Sequence, residues 1–326
     1  MKAVVIEQFG DPEVLSLREV VKPIPKNDEV LIKILKTSVN FADIKARRGK
    51  KNGKLPIVLG LDAVGIVEQV GEQVTDLKVG ERVIAFPKNG SYAEYALASS
   101  TLTFRIPDSL GLSSAAASPI VSFLSYHLLK SVARIQPGED VLIHSGSGGV
   151  GTVAIQLAKY FGARKVFSTV GNLKKKDFVL KAGADDVFLY DQFDQKINDR
   201  TNNQGVDIIL DSVAGNITRQ SINCLKKFGR LVQYGNSSGE PGVIKTNDVH
   251  SSCRSILGFS LGTTRKEKPE LLKKISNHVI DLINAGQIIP HIGAEFDLAT
   301  IKQAHQLMES RTHTGKIVIN VSTHVQ

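Results

Sequence analysis

Gly146, Gly148 and Gly151 stand in the stretch "LIHSGSGGVGTVAIQLAKYFG" (142–162) at the spacing G-x-G-x-x-G. The apolar run before them reads as a strand, and the apolar residues after them recur at helical spacing. In that setting each glycine has a task. The first permits a tight turn, the second lets the backbone approach a pyrophosphate, and the third lets the helix pack closely on the strand. The N–H groups of Gly148, Gly149, Val150 and Gly151 then face an anion with the helix dipole behind them. A turn needed only for packing is the plain alternative, but the strand–turn–helix setting favours a dinucleotide site.

The end of the next strand selects the dinucleotide. A carboxylate about 20 residues past the glycine loop binds the ribose 2′-hydroxyl of NAD. Here "STVGNLKKK" (168–176) has no acid and offers Gly171, Asn172, Lys174, Lys175 and Lys176. Positive charge at the start of a helix opposes its dipole, so cations there point to a 2′-phosphate and hence to NADPH. A merely solvated helix start is the alternative.

Metal-assisted chemistry needs Cys and His at ligand spacing. The eight histidines are dispersed, and Cys224 and Cys253 pair with none of them. No G-x-S-x-G elbow is present either. The expectation is therefore no metal, with the chemistry resting on the nicotinamide and the protein supplying orientation and polarisation. His144, just before the glycine loop, is expected to fix its local hydrogen bonds.

Two kinds of element must position these residues. Up to about residue 120 the chain reads as short β segments, such as "KAVVIEQ", "EVLIKILKTSV", "AVGIVEQVG" and "YAEYALAS", separated by Gly, Pro and Asn turns. That pattern suggests a partly open barrel. From Val141 strand and helix alternate: "VLIHS", "KVFSTV", "VDIILDSV" and "RLVQYG" are near-continuous apolar runs, as in a parallel sheet covered on both faces. The intervening helices are expected to end near Gly162, Gly183 and Gly229. A helix around "PELLKKISNHVIDLINAG" closes that sheet, and "KIVINV" (316–321) returns as a strand of the first domain.

The 326 residues suit two domains. No apolar run is long enough for a membrane span, and "MKAVVIEQFG" lacks a signal region. Two distant cysteines suit a reducing cytoplasm. The formal charge of +9 invites an RNA-binding reading, yet the basic residues are scattered, with clusters only at Lys45–Lys54 and Lys174–Lys176. Neither a nucleic-acid nor a membrane partner is expected.

The stretch "GEDVLIHSGSGGVGTVAIQLAK" (138–159) resembles the signature of zinc-independent medium-chain dehydrogenases/reductases, in the NADPH:quinone reductase (zeta-crystallin-like) branch. "SVNFADIKARRGK" (38–50), "LPIVLGLDAVGIVEQVG" (55–71), "GVDIILDSVAG" (205–215), "FGRLVQYGNSSG" (228–239) and "SRTHTGKIVI" (310–319) are similar to further family segments, so the likeness spans nearly the whole chain. It implies an α/β fold: a GroES-like partly open barrel over 1–120 and 287–326, and a Rossmann doubly wound NADPH-binding domain over 121–286. Zinc-dependent relatives carry Cys where Ser38 or Asn40 stands, and Gly-His-Glu where this chain reads Gly60-Leu61-Asp62.

Carried over by residue, the resemblance places Asn40 beside nicotinamide and substrate, where its amide could polarise a substrate oxygen; a barrel-turn Asn is the alternative. Lys175 matches the 2′-phosphate lysine, Tyr190 the residue flanking the adenosine, and Tyr234, Gly235, Asn236 and Ser237 the loop beside the cofactor. Arg311 matches a late basic residue near the cofactor, or is a solvated helix end. Lys45 and Leu124 depart from a Tyr and a Thr found in many quinone reductases. The implied activity is hydride transfer from NADPH to a quinone or an α,β-unsaturated carbonyl. The alternatives are an enoyl-thioester reductase, whose acyl-CoA phosphates Lys45–Lys54 would meet, and an NADPH-binding regulatory or RNA-binding protein. The family implies a homodimer or homotetramer, with "SILGFSLG" (255–262) a candidate interface strand.

Overall fold

The computed structural model describes residues 1–50 and 54–322, so Lys51 and His324 lie outside the described residues. The chain divides into two compact units, Met1–Phe123 with Thr263–Gln326, and Leu124–Gly262.

In the first unit, the strand Glu29–Val39 is the hub. Its alternating Val30, Ile32 and Ile34 are fully buried, and it pairs antiparallel with Ala63–Val70, Tyr95–Ser99 and Lys316–Asn320. The seven-stranded sheet runs on through Arg82–Ala85 to Thr103–Arg105 on one side, and to Ile292–Asp297 on the other. A small sheet of Ser16–Glu19, Lys2–Ile6 and Ile57–Val58 adds a second layer. The returning strand expected from "KIVINV" is thus present, with Ile317 opposite Val39.

The second unit is a six-stranded parallel sheet. Its order is Asp186–Leu189, Lys165–Val170, Asp140–Ile143, Val206–Asp211, Leu225–Gln233 and Ser255–Gly258. This is the doubly wound order, in which the winding reverses between Asp140–Ile143 and Val206–Asp211. Apolar residues on both faces explain the uninterrupted runs: Val141, Leu142, Ile143, Ile208, Ile209 and Leu210 are all fully buried.

Two readings of the sequence shift. The helix Glu270–Asn284 groups with the barrel unit, whereas the sequence grouped it with the nucleotide sheet. Its stripe of Leu272, Val279, Ile280 and Ile283 is buried, and it packs near the strand Thr103–Arg105 and the turn before it. Periodicity reveals an apolar stripe but not which sheet the stripe covers. The helix expected to end at Gly229 stops at Asn223, and Gly229 lies inside the strand Leu225–Gln233. Pairing with Val206–Asp211 outweighs the helical preference of Lys226 and Lys227. Gly162 and Gly183 do follow helix ends, with φ of +86° and +111°.

Candidate functional site

The glycine loop leaves the carboxyl end of the central strand Asp140–Ile143, at the reversal of the winding, and feeds the helix Gly149–Tyr160. Its three glycines are not equivalent. A Cβ on Gly146 would lie 2.0 Å from Ser168 Oγ, and one on Gly151 would lie 2.3 Å from the Ser145 carbonyl oxygen and 2.7 Å from Gly146 Cα. Those two positions are closed by the protein itself. A Cβ on Gly148 meets nothing nearer than the Ser145 oxygen at 3.4 Å. At Gly148, therefore, the space is open, as a backbone that must admit a phosphate requires. Among the described residues no side chain caps this helix, so its first N–H groups, at Gly149, Val150 and Gly151, stay available to an anion. The loop residues fit a dinucleotide pyrophosphate.

Three hydroxyls converge behind the loop. Ser145 Oγ is 2.9 Å from Tyr190 Oη and 3.2 Å from Ser212 Oγ. Tyr234 hangs its N–H on the Asp211 carbonyl, and burial raises its phenol pKa. Ser237 N–H donates to the Ser212 carbonyl at 3.0 Å, and Asn236 Oδ1 accepts from Gly239 N–H at 2.7 Å. Gly235 and Asn236 line a hollow of about 320 Å³ with Ala214, Thr218 and Gln233. His144 is buried and bridges the sheet: Ser221 Oγ donates to the Ile217 carbonyl, so His144 Nε2–H donates to Ser221 and Nδ1 accepts from Thr169 Oγ1 at 2.8 Å. Burial pushes its pKa down to about 4, so it is a neutral strut for the loop.

Gly171 is exposed and uncrowded. Asn172 Oδ1 caps the short turn after it, accepting from Lys174 N–H at 2.9 Å. Lys175 stands in that turn, partly buried, and burial lowers its pKa. Arg311 belongs to the other unit, where it ends the helix Ile301–Ser310 in a left-handed conformation with φ of +55°.

Asn40 sits at the end of the hub strand and starts the helix Phe41–Arg47. Its Oδ1 accepts from Lys316 Nζ at 2.7 Å, and its Nδ2 donates to Asp62 Oδ1 at 3.2 Å. The second amide N–H has only the Ser38 carbonyl, at 3.5 Å. Ser38 Oγ donates to the same Asp62 oxygen at 2.6 Å. Asn40 N–H donates to Asp43 Oδ2 at 2.8 Å, which squares the helix start. Burial raises Asp43 to about 6, with Asp62 adding repulsion and Lys316 opposing it. Burial lowers the pKa of Lys316, while Asp62 and Asp43 hold its charge.

A directed chain braces this cluster from behind. Arg47 Nη1 donates to His305 Nδ1 at 3.1 Å; His305 Nε2–H then donates to Tyr92 at 3.2 Å, and Tyr92 Oη–H to Asp43 Oδ2 at 3.2 Å. Burial, with the Arg47 charge, takes His305 down to about 3, so it stays neutral. Lys316, Arg47, Tyr92 and His305 were not singled out in the sequence. The available signals were faint: a lysine heading an apolar strand in "TGKIVI", and a histidine on the apolar stripe of "IKQAHQLM". The described residues contain no grouping of three or more His, Cys, Asp or Glu placed to hold a metal ion.

Residues 26–108 match the alcohol dehydrogenase GroES-like domain, and 149–277 match the zinc-binding dehydrogenase family. A quinone oxidoreductase of Sus scrofa is 36% identical over 98% of this chain and 97% of its own length. This chain belongs to the quinone oxidoreductase family of medium-chain dehydrogenases/reductases, and is an oxidoreductase. The Escherichia coli quinone oxidoreductase, solved in complex with NADPH, is 30% identical with a TM-score of 0.92, covering 98% of this chain and all (100%) of that one. The CurK enoyl reductase is 26% identical with a TM-score of 0.89, covering 98% of this chain and 99% of that one. The two units are thus a GroES-like barrel and a Rossmann sheet, as the resemblance implied.

Proposed function

We propose that this protein is an NADPH-dependent reductase that works without a metal and reduces quinones or α,β-unsaturated carbonyl compounds. When bound, NADPH supplies a hydride. Gly148 to Gly151 hold the pyrophosphate on backbone N–H groups, with Lys175 on the 2′-phosphate and Tyr190 and the 234–237 loop along the rest. Arg311 is assigned to the cofactor on the family pattern alone.

One observation carries the metal-free reading. Lys316 Nζ, fully buried in the barrel unit, donates to Asn40 Oδ1 at 2.7 Å and to the Val39 carbonyl at 3.0 Å. The Lys316 ammonium, its charge held by Asp62 and Asp43 against burial, supplies positive charge beside the position where zinc-dependent relatives hold a ligand. Polarisation of the substrate oxygen then falls to hydrogen-bond donors such as the Asn40 amide, and water returns the proton.

The likeness to CurK enoyl reductase favours a second reading, an enoyl-thioester reductase. Of its basic cluster, 51–53 lie outside the described residues. A homodimer or homotetramer built through the sheet edge Ser255–Gly258, and a cytoplasmic location suited to two free cysteines, belong to the same proposal.

The test is NADPH oxidation by chelator-treated protein against quinones, alkenals and enoyl-CoAs. Turnover of quinones or alkenals supports the first reading, and preference for enoyl-CoAs supports the second. No turnover with any acceptor, together with salt-sensitive RNA binding, refutes both.

A further inference from the structure

Arg47 and Arg230 spend their donors on the protein. Buried Arg47 bonds the Gly10 carbonyl, His305 and Glu309, and half-buried Arg230 bonds Glu139 and the Ala133 carbonyl. Arg265, on the helix Leu261–Glu267, does not. Its Nε is buried without a hydrogen-bond partner among the described residues. Its guanidinium lies over the Phe86 ring, with Cζ 5.2 Å from the centroid. Phe86 is gripped edge-on by Phe104 and Phe123, at 6.1 and 5.5 Å, so the platform is stiff. Asp62 and Asp43 act on the guanidinium as the nearby charges that keep it protonated against burial.

Those carboxylates are already engaged. Asp62 Oδ1 accepts from Ser38 and Asn40, its Oδ2 faces the Ile120 N–H at 3.4 Å, and Asp43 Oδ2 accepts from Asn40 N–H and Tyr92. Arg265 is therefore held by ring stacking and nearby charge while its Nε–H has no acceptor among the described residues. Ala63 stands opposite Ala85 in the ladder, so Asp62 neighbours Phe86, the ring under Arg265. Asp62 Oδ1 also accepts from Asn40, whose second amide N–H has only a 3.5 Å contact. A cation and an amide, each with a donor to spare, thus meet around one fixed carboxylate.

We propose that Arg265 and Asn40 form an oxyanion subsite in the barrel unit, which takes the carbonyl oxygen of the acceptor. This rests on the reductase reading above. The four charged groups of the cluster, Asp43, Asp62, Lys316 and Arg265, sum to zero. The subsite therefore carries no net charge before reaction, and its donors suit a neutral ligand whose oxygen becomes negative during reaction. The hydride brings an electron pair to the acceptor carbon, and the π pair moves onto the oxygen. Arg265 and Asn40 receive that oxygen, and a proton from water completes the reduction as NADPH becomes NADP⁺. The chemistry also selects the acceptor class: conjugated carbonyls, whose oxygen takes the full negative charge when hydride adds to the far carbon.

The test uses 4-nitrophenol, a neutral conjugated phenol whose oxygen becomes negative, bound to the full-length protein without cofactor. The wild type is expected to lower the bound phenol's pKa by roughly one unit, about a tenfold shift. Arg265→Gln is expected to abolish the shift and Arg265→Lys to keep part of it. In turnover, Arg265→Gln is expected to lose roughly 100-fold in kcat with the KM for NADPH unchanged. Should the glutamine variant misfold, the lysine variant alone decides, by a reduced shift at wild-type melting temperature. No phenol shift in the wild type, or an equal shift in folded Arg265→Gln, overturns the subsite. A phenol shift that depends on Arg265, in a protein for which no quinone, alkenal or enoyl-CoA supports NADPH oxidation, upholds the subsite and refutes the reductase reading.

Discussion

Replacing Gly148 by Ala separates what the glycine loop does for the fold from what it does for a ligand. Gly148 has φ of −82° and ψ of 167°, an extended conformation open to any residue. The added Cβ meets only the Ser145 oxygen at 3.4 Å. Folding stability should therefore change by no more than about 0.5 kcal/mol. A methyl group at that point nevertheless occupies the space a pyrophosphate needs, and displaces it from the helix N–H groups. Losing one hydrogen bond to a charged group costs about 1.5–3 kcal/mol, so NADPH should bind about 10- to 150-fold more weakly. Gly151→Ala is the control. Its Cβ would sit 2.3 Å from the Ser145 oxygen, and overpacking of that kind costs about 1–3 kcal/mol in stability. Urea unfolding and NADPH fluorescence titration read the two effects separately. Wild-type affinity in Gly148→Ala, or a stability loss equal to that of Gly151→Ala, would refute the argument.

Lys175→Ala should raise the KM for NADPH about tenfold or more and leave that for NADH nearly unchanged; equal effects on both cofactors would remove the phosphate role. Stability should fall between pH 7 and pH 5. His305 and His144 titrate near 6.5 when unfolded but at about 3 and about 4 when folded, so the unfolded chain binds more protons there. Together they cost about 3.5 kcal/mol over that interval. Asp43, raised from 3.8 to about 6, works the other way, because the folded state takes up its proton, and it returns about 1 kcal/mol. The net loss of about 2 kcal/mol should appear in urea midpoints measured at the two pH values, and unchanged stability would contradict the neutral histidines.

The glycine loop is legible in the sequence because its parts are contiguous: strand, turn and helix lie within 140–160, and the glycine spacing is set inside that span. The lysines after the second strand are legible for the same reason. Asn40 could be named but its surroundings could not. Lys316 and Asp62 meet it only because the hub strand pairs with segments on both sides of it, far apart in the chain. Arg265 was invisible for a further reason. In "LGTTRKEKPE" it resembles any surface cation, and only the placement of Phe86 beneath it marks it out. The two displaced boundaries, at Glu270–Asn284 and at Gly229, share that cause, since local preference was overruled by a partner distant in sequence.

The hub strand also fixes an order of events during synthesis. The nucleotide unit is one unbroken stretch, 124–262, and can fold as it emerges from the ribosome. The barrel unit is made in two instalments. Its central strand, Glu29–Val39, has Tyr95–Ser99 along Glu29–Lys33, but its last residues, Lys36–Val39, wait with one edge bare until Lys316–Asn320 has been translated. The ammonium that meets Asn40 arrives on that last strand, so a chain cut short before residue 316 keeps every residue of the glycine loop but leaves Asn40 and its two carboxylates without their buried lysine counter-ion.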